Sequence, residues 1–222
     1  MQWQIEELDA FGEGLQAFLR MQSARLGSVI RLFRRLGSQI EKVFMGGLLG
    51  YIDIASSRCN PNDRIFVTTW LSSTFVDEIS KQETPGVSFN IVRKRIMYQW
   101  LIRPQFIVQG LPYRLDFGCN LTRLGGTNKT RCIATLGFEC DGYDYHVDTP
   151  ERLEKFKTDR ERDRKLQRAG FPINRFSGSE IMSAARNVGE RAFNILLDEA
   201  LKDSDPGMHF MHTDFVPPDN RK

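Results

Sequence analysis

Apolar residues recur at helical spacing through the first part of the chain. Leu8, Phe11, Leu15, Phe18, Leu19, Leu26, Ile30 and Phe33 form one stripe and predict an amphipathic helix over 5–35. Gly37-Ser38 breaks it. Ser38-Gln39-Ile40-Glu41 then reads as a capping box, with Ser38 as N-cap and Glu41 three residues on. A second helix follows through Ile40, Phe44, Leu48, Leu49 and Ile52. Residues 56–63 read as a loop by composition. The period then changes from 3.6 to 2. Ile65–Trp70 looks extended and Val87–Ile91 alternates, although 64–100 as a whole is ambiguous. Ile102–Val108, Tyr113–Cys119 and Arg131–Asp141 are three clear strand candidates. Gly110-Leu111-Pro112 and 125–129 are the turns that join them into a meander.

Thr149-Pro150-Glu151 opens the next helix, with a capping residue, a first-turn proline and an acid at the positive end. That helix is expected to stop at Gly170. Phe171–Phe176 reads as a short strand, and a last helix runs from Ser177-Gly178-Ser179 to about Leu201. A strand reached through a crossover helix is expected to lie parallel to an earlier one. The expected class is therefore α/β with a mixed central sheet flanked by helices. Residues 1–37 form an N-terminal helical extension, 38–202 the main domain, and 203–222 a flexible tail or peripheral strap, with Pro206, Pro217 and Pro218 and few packing residues.

Composition narrows this picture little. The chain has 222 residues, 41% hydrophobic and 27% charged, with net charge +3. These are ordinary globular values, and the mild charge neither demands nor excludes nucleic acid. Cys59, Cys119, Cys132 and Cys140 lack the spacing of a zinc site and read as reduced thiols of a cytoplasmic protein. No segment approaches the ~20 apolar residues of a membrane span. Glu6, Glu7 and Asp9 interrupt any signal-peptide pattern.

The chemistry lies in acids on strand candidates. Asp116 sits in Tyr113-Arg114-Leu115-Asp116-Phe117 and Glu139 in Phe138-Glu139-Cys140-Asp141-Gly142. A half-buried acid is costly unless it is paired or holds a metal. If neighbouring strands bring the two together, their repulsion calls for a cation. A hard ion such as Mg²⁺, which takes one or two protein carboxylates, suits them, and such sites mostly serve phosphoryl chemistry.

Six pieces in order resemble the PD-(D/E)XK, or restriction-endonuclease-like, nuclease superfamily, on the branch of very-short-patch repair endonucleases and helicase-associated nuclease domains. They are Ser38–Glu41; Arg103-Pro104-Gln105; Tyr113–Phe117; Phe138–Gly142 with His146 after it; Asp159-Arg160-Glu161-Arg162-Asp163; and Gly170–Phe176 with Glu180-Ile181. In this frame, residues 55–100 look like an insertion. The resemblance implies a restriction-endonuclease-like sheet and a Mg²⁺- or Mn²⁺-dependent endonuclease acting on DNA. It makes Asp116 the central metal aspartate and Glu139 the acid of the (D/E)XK element, with Glu41 a further ligand from the first core helix. The family lysine is replaced by Asp141, which leaves open what positions the attacking water. His146 is the candidate general base or acid, and Gln105 a possible auxiliary.

Plainer readings stand beside these. Glu41 could only cap its helix, His146 could pack on Tyr143 or Tyr145, and Asp141-Gly142 could start a turn. The helix from Arg152 to Arg168 interleaves bases with Glu154, Asp159, Glu161 and Asp163, which usually makes a solvated, ion-paired face. The same helix offers Lys157, Arg160, Arg162 and Arg164, with Arg175 beyond it, as contacts to a nucleic-acid backbone. The apolar stripe of the N-terminal helix could pair two copies into a homodimer. A binding or assembly module that kept the fold and lost the chemistry is the alternative in another class, and an RNA-cutting effector a third.

Overall fold

The computed structural model describes residues 26–27, 29–59, 65–76, 83–93, 96–124, 131–141 and 150–202. The 5–25 part of the helix predicted over 5–35, the turn at 125–129, Thr149, His146 and the 203–222 tail lie outside the described residues. So do Lys94 and Arg95. The described part is mixed α/β: a seven-stranded mixed sheet flanked by helices. Its strands are β1 (Ile65–Val67), β2 (Leu71–Val76), β3 (Glu83–Arg93), β4 (Ile96–Ile107), β5 (Arg114–Leu124), β6 (Arg131–Asp141) and β7 (Ile173–Ser177). Its helices are α1 (Gln39–Arg58), α2 (Pro150–Arg168) and α3 (Gly178–Lys202), and residues 29–35 are helical ahead of α1.

The sheet order is β1-β3-β4-β5-β6-β7, with β2 on the same edge of β3 as β1. Strands β3 to β6 form an antiparallel meander, and β7 joins β6 in parallel after the α2 crossover, as the sequence predicts. Several elements outrun their predicted limits. Helix α1 reaches Arg58, and its end is closed by the Cys59 N–H on the Ser56 carbonyl. Strand β4 starts at Ile96, and β5 continues to Leu124. The expected insertion at 55–100 is woven into the sheet, where Val87, Phe89 and Ile91 are core residues. Pro85 and Gly86 hide the start of β3 in the sequence. Strand β3 pairs there with β2 alone, so the absent proline N–H leaves no second neighbour unbonded.

Two cores hold the layers. On one face of the sheet, α1 and α3 cover Phe89, Trp100, Phe117, Leu136, Phe138 and Phe176. Phe44 of α1 sits among three of these rings, with centroids 5.2 Å from Phe117, 5.6 Å from Phe138 and 5.2 Å from Phe176. The buried Trp100 Nε1 donates to the Leu196 carbonyl at 3.0 Å, which ties β4 to α3. Leu32 and Leu36 also reach this core, so the end of the predicted N-terminal extension is part of it. Helices α1 and α3 cross backbone to backbone. A Cβ on Gly47 would lie 2.2 Å from the Ala185 carbonyl oxygen, and one on Gly189 would lie 2.2 Å from that of Gly47. Helix α3 breaks at Ala184, whose φ of −146° is not helical, just before that contact.

The second core is small. Leu166 of α2 packs with Val108 and Leu115, bordered by Phe106, Tyr113, Phe171 and Ile173. It lies on the far face of β6, because the side-chain direction of Gly137 meets Leu115 and Ile173 while neighbouring Phe138 faces α1. The acids sit where these two cores meet at one end of the sheet.

Candidate functional site

Asp116 and Glu139 lie one step beyond the last paired residues of β5 and β6, Phe117 and Phe138, and so face each other across the two strands. Main-chain pairing ends there because the Asp116 side chain takes over. The Cys140 N–H donates to Asp116 Oδ2 at 2.8 Å. Among the described residues Glu41 and Glu139 are the buried charged side chains, and Glu139 has 6% of its surface exposed. Arg175, its register partner on β7, sits beside it.

Glu41 arrives from the first turn of α1. The capping box is only half made. Ser38 Oγ accepts from the Glu41 N–H at 3.2 Å, as expected of an N-cap. The Glu41 carboxylate does not turn back to Ser38. Its Oε2 accepts from the Gly37 N–H at 2.9 Å and from Gln105 Nε2 at 2.7 Å. Glu41 is 5% exposed, and its charge reaches Asp116. It therefore does more than cap. Gln105 is skipped in the β4–β5 register and has φ of 51°, the left-handed region that costs a non-glycine residue about 1–3 kcal/mol. This twist in β4 accompanies the delivery of the Gln105 amide to Glu41.

Two arginines pair with Glu139, Asp141 and Asp163. Arg162 Nη2 donates to Glu139 Oε1 at 2.5 Å and to the Arg114 carbonyl at 2.9 Å, and its guanidinium lies 5.8 Å from the Tyr113 ring centre. Arg175 bridges β6 to α2. Its Nη1 meets Asp141 Oδ1 at 2.7 Å, while Nη2 and Nε hold Asp163 at 2.7 and 3.0 Å. The aspartate in the expected lysine position is thus an ion-pair partner of Arg175.

Burial sets the electrostatics. Desolvation, then the Asp116 charge, pushes the Glu139 carboxyl up to about 7 despite Arg162. Desolvation also raises Asp116, opposed by the Cys140 N–H and reinforced by Glu41. Asp141 is raised by desolvation against the pull of Arg175. Burial and the four surrounding carboxylates push the Cys140 thiol up, which leaves it a poor nucleophile.

The predicted residues therefore separate. Asp116, Glu139, Glu41, Asp141, Gln105, Arg162 and Arg175 converge. Lys157 does not: it is exposed on α2 and pairs with Glu154 at 3.4 Å. Arg160 and Arg164 are likewise exposed. Asp163 and the Gly37 N–H belong to the site, although no role was expected of them. A signal for the inward face of α2 exists in the sequence. Leu166 is the one apolar residue in the run 157–168, and Arg162 and Asp163 lie four and three positions before it, on the same helix face.

In donor chemistry the site suits a hard divalent ion. Glu41, Asp116 and Glu139 each keep one carboxylate oxygen without a hydrogen-bond partner among the described residues. In spacing it is not closed up: among the described residues no group of three or more His, Cys, Asp or Glu side chains stands ready to hold one ion. Among the described residues no helix is long and apolar enough to cross a membrane. The chain matches no protein-family model, no curated protein and no solved structure.

Proposed function

We propose that the chain is a metal-dependent endonuclease of the restriction-endonuclease-like class that hydrolyses phosphodiester bonds, in DNA first of all. One observation carries this reading. Three carboxylates from three elements, Glu41, Asp116 and Glu139, meet at one sheet end, and each holds back an oxygen. Asp116 and Glu139 would hold Mg²⁺ or Mn²⁺, the two carboxylates that Mg²⁺ commonly takes, with Glu41 reaching the ion through a water. When bound, such an ion lowers the pKa of a water and offsets charge on the phosphate. The protein's own part is placement. Gln105 and Gly37 fix the Glu41 carboxylate, the Cys140 N–H fixes Asp116, and Arg175 clamps α2 to β6 and β7. Lys157, Arg160 and Arg164 remain candidates for backbone contact from the outer face of α2.

Supercoiled plasmid incubated with Mg²⁺, Mn²⁺ or EDTA tests the reading, beside Asp116→Ala and Glu139→Ala. Metal-dependent nicking or linearisation by the wild type alone is the expected result. No cutting of plasmid, single-stranded DNA or RNA would sink it.

A second reading is favoured by the two ion pairs, Glu139–Arg162 and Asp141–Arg175. They leave Glu139 and Asp141 charge-compensated without any metal, as suits a nucleic-acid-binding or assembly module that lacks the chemistry. That module should bind Mn²⁺ no better than an Asp116→Ala/Glu139→Ala double variant.

A further inference from the structure

Glu139 is buried on the sheet, and its neighbour Asp116 adds a second negative charge across the strands. Such a pair is unfavourable without a compensating cation. The described residues supply that cation from α2. The Arg162 guanidinium stands on Glu139 Oε1 at 2.5 Å, its charge favours ionised Asp116 as well, and only 20% of its side chain is exposed. It therefore shares the carboxylate that a metal would use, on Oε1, while Oε2 keeps no hydrogen-bond partner among the described residues.

Its anchoring is of two kinds. One contact is to Glu139. The others, the Arg114 carbonyl at 2.9 Å and the Tyr113 ring at 5.8 Å, do not involve an acid of the site. The guanidinium can thus leave Glu139 and stay tethered beside it. Leu166 and the Arg175–Asp163 clamp hold α2 in place meanwhile.

We propose that Arg162 is a built-in counter-cation that competes with the metal for the Glu139 charge, so that the ion binds more tightly once the guanidinium moves off Oε1 onto its Arg114 and Tyr113 contacts. This rests on the metal-dependent reading above. It makes Arg162 a positioning residue that sets metal affinity, rather than a direct phosphate contact in the metal-free protein. Coupling of this kind between two ligands of one site is typically 5–150-fold.

The test is calorimetric titration with Mg²⁺ alone, at pH 8.5 so that Glu139 is largely ionised. Wild type, Arg162→Met and Arg162→Gln are compared, with Asp116→Ala as the control and thermal unfolding as the check that each variant folds. Both Arg162 variants should bind Mg²⁺ roughly tenfold more tightly than the wild type, within the usual range of coupling, and Asp116→Ala should abolish the binding. In the wild type, Mg²⁺ should also shift the Arg162 guanidinium ¹⁵N resonance, assigned by its loss in Arg162→Met. Folded Arg162 variants that bind Mg²⁺ equally or more weakly than a binding wild type, or an unmoved resonance, overturn the inference and leave the metal reading standing. No Mg²⁺ binding by any folded form removes both.

Discussion

Two neighbouring rows of the same strand pair behave in opposite ways. Phe117 and Phe138 face each other in β5 and β6 and pack on Phe44. Asp116 and Glu139, the next row out, carry charges that burial disfavours. The first row stabilises the sheet by removing rings from water. The second is met by the Cys140 N–H on Asp116 and the Arg162 guanidinium on Glu139. Fold and candidate chemistry are thus separated by a single residue step, and substitutions should sort by row.

The largest stability effect belongs to the apolar row. Phe138→Ala should destabilise the protein by about 3–5 kcal/mol, measured by urea unfolding. A loss below about 1 kcal/mol would show that burial of the Phe138 ring contributes little to the sheet. The crossing of the two helices over that row comes next. Gly47→Ala forces a methyl into the Ala185 backbone and should cost about 1–3 kcal/mol or more.

The acidic row should show itself in pH dependence. The Glu139 carboxyl is pushed up to about 7 in the folded protein against 4.5 in the unfolded chain. Between these values the native state binds more protons, so stability falls as pH rises, on the order of 3 kcal/mol, and levels off above about 7. Asp116 and Asp141 are raised too and contribute with the same sign. In EDTA, Glu139→Gln should flatten much of that slope. An unchanged slope would mean that Glu139 is ionised throughout.

Gln105→Gly should move stability by no more than about 1 kcal/mol, since relief of the left-handed backbone offsets the lost hydrogen bond. It should still lower any metal-dependent cleavage by freeing Glu41. The smallest effect is expected for Lys157→Ala, within about 0.5 kcal/mol, because its partner Glu154 is as exposed as itself.

Much of the apolar row was legible in the sequence. Alternation marked β5 and β6, the capping box and helical spacing marked α1, and the crossover through α2 gave the parallel β7. What escaped were features set by tertiary contact. Nothing in Arg103-Pro104-Gln105 announces a positive φ at Gln105, which depends on Glu41 arriving from another element. The capping pattern gave Glu41 its helix position but not its partners, Gly37 and Gln105. On α2 the bases look alike along the chain. Only the burial of Leu166 turns Arg162 and Asp163 inward and leaves Lys157 in water. Strand β3 was partly missed because Pro85 and Gly86 oppose a strand by propensity and are overruled by pairing with β2.

The close contact of Gly47 with Ala185 and Gly189 has a mechanical side. It sits six residues along α1 from Glu41, roughly 9 Å at the rise of an α-helix. The crossing works as a fulcrum and the first turn of α1 as the end of a lever. A tilt of about 6° at the fulcrum would swing the Glu41 carboxylate by ~1 Å, a displacement on the scale at which catalytic geometry fails. A methyl group added beneath a distant helix could therefore detune the acidic end of the sheet without touching it.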